Sequence, residues 1–166
     1  ASQMGNAFAG GSAYAYDAST IYFNPAGMTR LPAQFVGALH FVKPTAKFDG
    51  TASDIFGNPV SGGNGGDAGG VGFVPNLYMS LPLGNGLFTG LGINVPFGLA
   101  TEYNDGWKGR YHAIESEVTT VNFNPSMAYK LNDRLSMGVG VNLQYIKGKL
   151  TQAIDQGSLC APTQAQ

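Results

Sequence analysis

The side chains of this 166-residue sequence that could do chemistry are few and scattered. Glu115 and Glu117 lie two apart, so on a strand they share one face. Carboxylates so placed could act as an acid–base pair or hold a cation, and they could equally be two solvated acids at the rim of a sheet, which is the reading adopted. His40 and His112 are distant in sequence and lack the close spacing of metal ligands. The run GGNGGD, Gly62 to Asp67, fits one copy of a calcium-binding β-roll repeat. That motif works in tandem, so one copy predicts a flexible loop. Cys160 is the one cysteine; it pairs with a cysteine further along or stays a free thiol. No G-x-S-x-G, Walker or G-x-G-x-x-G fingerprint stands in a strand-to-helix context. The sequence therefore predicts no enzyme, no cofactor and no metal.

With chemistry this sparse, the elements themselves carry the information. Only 11% of residues are charged, where about 25% is usual for soluble domains. Glycine contributes 25 residues, about twice its usual share. A net charge of −1 gives no electrostatic footing for nucleic acid or for an anionic membrane surface. No run of about 18 apolar residues exists to form a transmembrane helix.

Alternation with a period of two is strong. In RLSMGVGVNLQYIK, residues 134–147, one set is Leu135, Met137, Val139, Val141, Leu143 and Tyr145; the other is Ser136, Gly138, Gly140, Asn142 and Gln144. Successive side chains of a strand point to opposite faces, so one face is wholly apolar and the other small or polar without charge. The same pattern runs through 71–83, with Val74 and Tyr78 as exceptions, through 87–99, where Phe88 faces the small set, and through 121–131. A less regular strand is expected at 35–48. Five strands result, each long enough for the roughly 9–11 residues that a tilted membrane strand needs. Tight turns are expected at 84–86 (GNG) and 132–134 (NDR), and long connections at about 49–70 and 100–115. Short turns at one end and long loops at the other suit a transmembrane antiparallel β-barrel. Tyr103, Trp107 and Tyr111 are placed in an aromatic interfacial belt. A soluble β-sandwich would need charged outward faces, and these are missing.

Residues 1–34 lack this period and are rich in Ala, Gly and Ser. Asp17 is expected to N-cap a short helix reaching Tyr22 or Phe23. Asn24 followed by Pro25 reads as an N-cap with proline at the first helical position.

The segment GNAFAGGSAYAYDASTIYFNPAGMTRL, with Asn24, Pro25 and Ala26 inside it, resembles the N-terminal hatch of FadL-type outer-membrane transporters of long-chain fatty acids. FVPNLYMSLPL, VPFGLATEYND and NPSMAYKLNDRLSMGVGVN follow in the family's order. The resemblance implies an all-β fold: a monomeric fourteen-stranded barrel in the outer membrane of a Gram-negative bacterium, its lumen plugged by the hatch. It divides the chain into a hatch at 1–34, the first five barrel strands at 35–155, and the start of an extracellular loop at 156–166, with further strands expected beyond. It implies lateral diffusion of a hydrophobic solute, a long-chain fatty acid or an aromatic hydrocarbon, through a gap made by a kink in the third strand. Asn94, Pro96, Phe97 and Gly98 in INVPFGLA could build that kink, since proline removes a ladder donor and glycine marks bends. The family's head-group pocket would fall near Lys147, Lys149 and Gln152, where glutamine stands in place of the expected basic residue. A barrel serving as an adhesin or antigen is the competing function; it has no reason to carry an Asn-Pro-Ala plug.

Overall fold

The computed structural model describes residues 9–54 and 56–155. Residues 1–8 of the expected hatch, Cys160 and the expected loop at 156–166 lie outside them. Among the described residues seven strands form one sheet, antiparallel at β2–β3, β3–β5 and β5–β6: β1 (Gln34–Val42), β2 (Gly72–Gly84), β3 (Leu87–Asn94), β4 (Gly98–Glu102), β5 (Glu115–Lys130), β6 (Ser136–Gly140) and β7 (Leu143–Thr151). Their order is β1-β2-β3-β5-β4, with β6 and β7 also paired to β5. The described chain divides into two compact units. The first takes in residues 9–42, Phe73–Gly98 and Thr119–Ile146; the second takes in Lys43–Gly72, Leu99–Val118 and residues 147–155.

In the first unit the alternation sets two unlike faces. Thr120, Asn122, Asn124, Ser126 and Ala128 of β5 are buried, while Val121, Phe123, Met127 and Tyr129 between them are exposed. Leu135, Met137, Val139, Val141, Leu143 and Tyr145 are exposed as well. Along β5 the apolar face is bare and the small polar face is covered, which inverts the arrangement of a water-soluble sheet, while in β6 and β7 both sets are exposed apart from the half-buried Ser136.

The cover is the N-terminal segment. A one-turn helix, α1 (Thr20–Phe23), is followed by a 3-10 helix, Pro25–Arg30. Asn24 caps the latter, its Oδ1 accepting from the Ala26 amide at 3.2 Å, with Pro25 next as the first helical residue. The Asn24 Nδ2 donates to Ser12 O at 2.9 Å. Asp17 does not cap α1: its carboxylate accepts from the Ser19 amide, and Ser19 occupies the cap position. Aspartate two residues ahead of an amide closes an Asx turn more readily than it reaches the helix beyond.

Ile21 and Met28 of this segment pack with Ala128, against Tyr78 and Phe88. The two aromatic residues that break the small-residue pattern are thus the two that meet the covering segment. Small residues beneath it allow close approach. A Cβ on Gly90 would overlap the tips of Met28 and Ile21, and one on Gly138 would overlap the backbone at Pro25 and Ala26. Thr29 Oγ1 also bonds Ser136 Oγ at 2.8 Å, and the Ala18 amide donates to Gln34 Oε1 at 2.6 Å.

The β2–β3 turn has Asn85 at φ 51° and Gly86 at φ 78°, the paired left-handed residues of a type I′ hairpin. After β5, Asn132 Oδ1 accepts from the amides of Arg134 and Leu135, and Lys130 pairs with Asp133 at 2.7 Å. The first strand ends at Val42, short of the expected 48, because Pro44 has no ladder donor and disfavours regular continuation.

One break was not expected. The strand drawn at 135–147 is interrupted at Val141–Asn142, between β6 and β7. Ser126 pairs with Gly140, so the next residues to face each other are Pro125 and Val141. Val141 N–H donates to Pro125 O at 3.1 Å, but Pro125 has no N–H to return.

In the second unit, Trp107 is the centre of a packed loop cluster. It is only 9% exposed, stacks on Tyr103 at 4.0 Å between centroids, meets Phe48 edge-on, and donates its Nε1–H to Ala113 O. This corrects the belt assignment: Trp107 and Tyr103 spend their apolar faces on each other. The GGNGGD run packs against this cluster. Gly63 bridges to Trp107, and Gly65 lies against Tyr103 and Trp107. Asp67 accepts from the amides of Ala46 and Gly69, bonds that hold its carboxyl below its ordinary value of 3.8.

Candidate functional site

The third strand stops at Asn94 and resumes at Gly98, leaving Val95, Pro96 and Phe97 outside regular pairing. Up to Asn94↔Asn122 the β3–β5 register is uniform and would set Thr120 opposite Pro96. Pro96 has no N–H to offer there. Thr120 instead exchanges bonds with Phe97. The Phe97 amide donates to Thr120 Oγ1 at 2.9 Å, while the Thr120 amide and hydroxyl donate to Phe97 O at 3.1 and 2.6 Å. One residue has been slipped, and the threonine hydroxyl stands in for a backbone acceptor. This is a bulge with its side-chain patch built in.

On the β2 side, pairing among the described residues runs from the turn to Asn76↔Asn94. The next residue of β2 is Pro75, so each strand carries a proline at the break, Pro75 and Pro96. Two donors that would otherwise stand unpaired are thereby absent. That matters in hydrocarbon, where an unpaired donor costs several kcal/mol, of order ~4 or more. Phe97 is 65% exposed. A Cβ on Gly98 would meet only Val95, at 3.9 Å, so this glycine is not demanded by crowding.

Asn94 Oδ1 accepts from Asn122 Nδ2 at 3.2 Å, and the Phe97 amide freed by the break is served by Thr120. Around it runs a row of amides. Asn122 Nδ2 and Asn124 Nδ2 donate to Asn142 Oδ1 at 2.9 and 2.6 Å, and Ser126 Oγ donates to Asn124 Oδ1 at 2.5 Å. Asn76, Asn94 and Asn122 are successive partners across β2, β3 and β5. Sequence reasoning missed Pro75, Thr120 and Asn122 as parts of the break. The proline was visible; the other two needed the register.

The remaining candidates lie elsewhere. Asn24, Pro25 and Ala26 form the capped turn that sits over Gly138. Lys147 and Lys149 lie on β7, and Gln152 just follows it. Lys149 Nζ pairs with Glu115 at 2.7 Å, so this lysine already has a carboxylate, and Glu115 is engaged by a cation rather than by Glu117.

A sheet that shows apolar side chains outward and covers its small polar face with its own N-terminal segment is built as part of an outer-membrane β-barrel. The chain belongs to the family described as Outer membrane protein transport protein (OMPP1/FadL/TodX), whose pattern matches residues 1–165. It is 33% identical over 162 residues to Outer membrane protein P1 of Haemophilus influenzae strain Rd, covering 90% of this chain and 35% of that protein. It is 32% identical over 163 residues to the Long-chain fatty acid transport protein of Escherichia coli K12, covering 96% and 35%. The crystal structure of a Pseudomonas aeruginosa FadL homologue superposes with a TM-score of 0.79 at 29% identity, over 86% of this chain and 35% of that one. The chain thus spans about a third of the length of these relatives, and like them it is an outer-membrane protein.

Proposed function

We propose that this chain forms part of a transporter for hydrophobic small molecules, long-chain fatty acids or aromatic hydrocarbons, which leave sideways through the break at Val95–Phe97. The observation that carries the reading is the paired-proline interruption of β3, with its freed backbone patched by Thr120. An interruption in a membrane strand costs ladder bonds, and a patched one is retained where passage needs it. The name of the Escherichia coli relative, a long-chain fatty acid transport protein, supports the solute class. The bare Phe97 ring offers an apolar lip to such a solute. The N-terminal segment over the small polar face acts as the plug, held at Asn24, Pro25 and Ala26. The transporter works as a monomer in outer-membrane lipid, and it moves its solute without chemical change. Lys147 and Gln152 remain available to a carboxylate head group, and Lys149 becomes available if Glu115 releases it.

Pro96→Val combined with Gly98→Val restores a donor and strand-forming side chains, and should favour straight pairing. Uptake of a labelled long-chain fatty acid and of toluene is measured in cells making the full-length protein. Loss of uptake at equal surface expression supports lateral exit. Unchanged uptake of both solutes removes this region from the pathway.

A further inference from the structure

The row of asparagines beside the break has an open valence. Asn122 is only 3% exposed, and both protons of its Nδ2 are used, one toward Asn94 Oδ1 and one toward Asn142 Oδ1. Its Oδ1 is buried with no hydrogen-bond partner among the described residues. A buried amide oxygen left unsatisfied is costly, so such an atom calls for a donor beyond the described residues, and a bound solute can supply it. Thr120 and Asn122 share the buried face of β5, and Thr120 is bonded to Phe97 at the break itself. The orphan acceptor therefore lies within one strand repeat of the wall interruption.

We propose that Asn122, with Asn94 and Asn142 holding its amide, is a polar subsite for an uncharged O–H head group, a protonated carboxylic acid or an alcohol, at the inner side of the break. This inference rests on the transport reading above and adds to it the chemical form of the solute. A carboxylate has no proton to give Asn122 Oδ1, and two acceptors facing each other repel. A neutral acid or alcohol donates one bond to that oxygen and leaves its tail free to run past Phe97. The surrounding amides are neutral, so no charge is present to hold an ionised head group back from hydrocarbon. The row then acts as a sill where the head group waits, hydrogen-bonded, while the tail enters the lipid.

The test uses cells making the full-length protein and three labelled probes of equal chain length: a fatty acid, a fatty alcohol and an n-alkane. In Asn122→Leu the uptake of alcohol relative to alkane should fall about threefold to tenfold, the worth of one hydrogen bond. The fatty acid should fall with the alcohol, most clearly at low pH. Asn122→Ala, which puts a smaller side chain at that place, is the second variant should leucine disturb the strand. An unchanged alcohol-to-alkane ratio in a folded variant would mean that the oxygen meets water only, and would overturn the proposal. An equal fall for all three probes would make the row structural and overturn it too. If wild-type cells take up none of the probes above control, the transport reading itself fails, a result distinct from either.

Discussion

Gly138→Ala adds one methyl group where the structure has no room for it. A Cβ there would lie 2.7 Å from the carbonyl carbon of Pro25 and against the Ala26 amide. Both are backbone atoms in a turn fixed by the Asn24 cap, so neither can rotate aside. Forcing an extra methyl into such a site costs about 1–3 kcal/mol. Lifting the turn also threatens the Thr29–Ser136 bond, worth about 0.5–1.5 kcal/mol. Against this, alanine reduces the freedom of the unfolded chain, a gain of about 0.4–1 kcal/mol. The net loss should be about 0.5–4 kcal/mol. Gly98→Ala is the internal control: nothing lies nearer than 3.9 Å, so it should be neutral or stabilising by up to about 1 kcal/mol. Gly90→Ala should fall between, because it meets the movable tips of Met28 and Ile21 as well as the Met79 carbonyl at 3.1 Å. Urea unfolding of the detergent-folded protein gives the energies, and protease cleavage within residues 9–31 reports on the segment directly. Equal stability and equal protection for Gly138→Ala and Gly98→Ala would refute the seating of the N-terminal segment on β6.

Three further outcomes follow from the same geometry. Asn24→Ala removes the cap to Ala26 and the bond to Ser12, and should cost about 0.5–2 kcal/mol, read as faster cleavage of the N-terminal segment. Val139→Arg places a charge on the bare face and should cost roughly 2–4 kcal/mol near the bilayer midplane; a spin label at 139 should be quenched by a lipid-soluble reagent and one at Asn124 should not, and equal quenching contradicts the assignment of faces. Asp67 is held below 3.8 by the amides of Ala46 and Gly69, and a lowered carboxyl stabilises the fold above its unfolded value and loses that contribution as pH falls through the folded one. The protection of the Ala46 and Gly69 amides, exchange corrected for its intrinsic pH dependence, should therefore be flat from neutral pH to about 4 and fall only below it; Asp67→Ala should abolish the step.

What could be read from the sequence was local. The alternation of Val121 to Tyr129 and the Asn24–Pro25 cap each depend on neighbours in the chain, and each stands in the structure as its residue types require. The family assignment was legible too, through ordered motifs spread over the whole chain. What escaped depends on register. Pro125 lies in β5, yet the strand it interrupts is the next one, at Val141–Asn142. Thr120 serves Phe97 only because Pro96 forces a slip of one residue. Asn94 could offer its amide to freed backbone or to a neighbouring side chain, and the row of partners across three strands decides for the second. Trp107 was misplaced because an aromatic residue in a long loop suits an interfacial belt and a loop core alike. The choice was made by Tyr103 and Phe48, which lie against it.

The most direct test of lateral passage is to close the break and reopen it in one molecule. Continuing the register from Asn76↔Asn94 sets Val74 opposite Pro96. In full-length protein with its native cysteines replaced by serine, Val74→Cys and Gly98→Cys, which lie across the break and leave Pro75 and Pro96 in place, are bridged by a short, reducible bis-thiosulfonate, and uptake of a labelled long-chain fatty acid is followed before and after reduction. Passage through the break predicts that the bridged protein loses uptake and regains it when the bridge is reduced. Uptake by the fully bridged protein at the rate of the reduced one would contradict it.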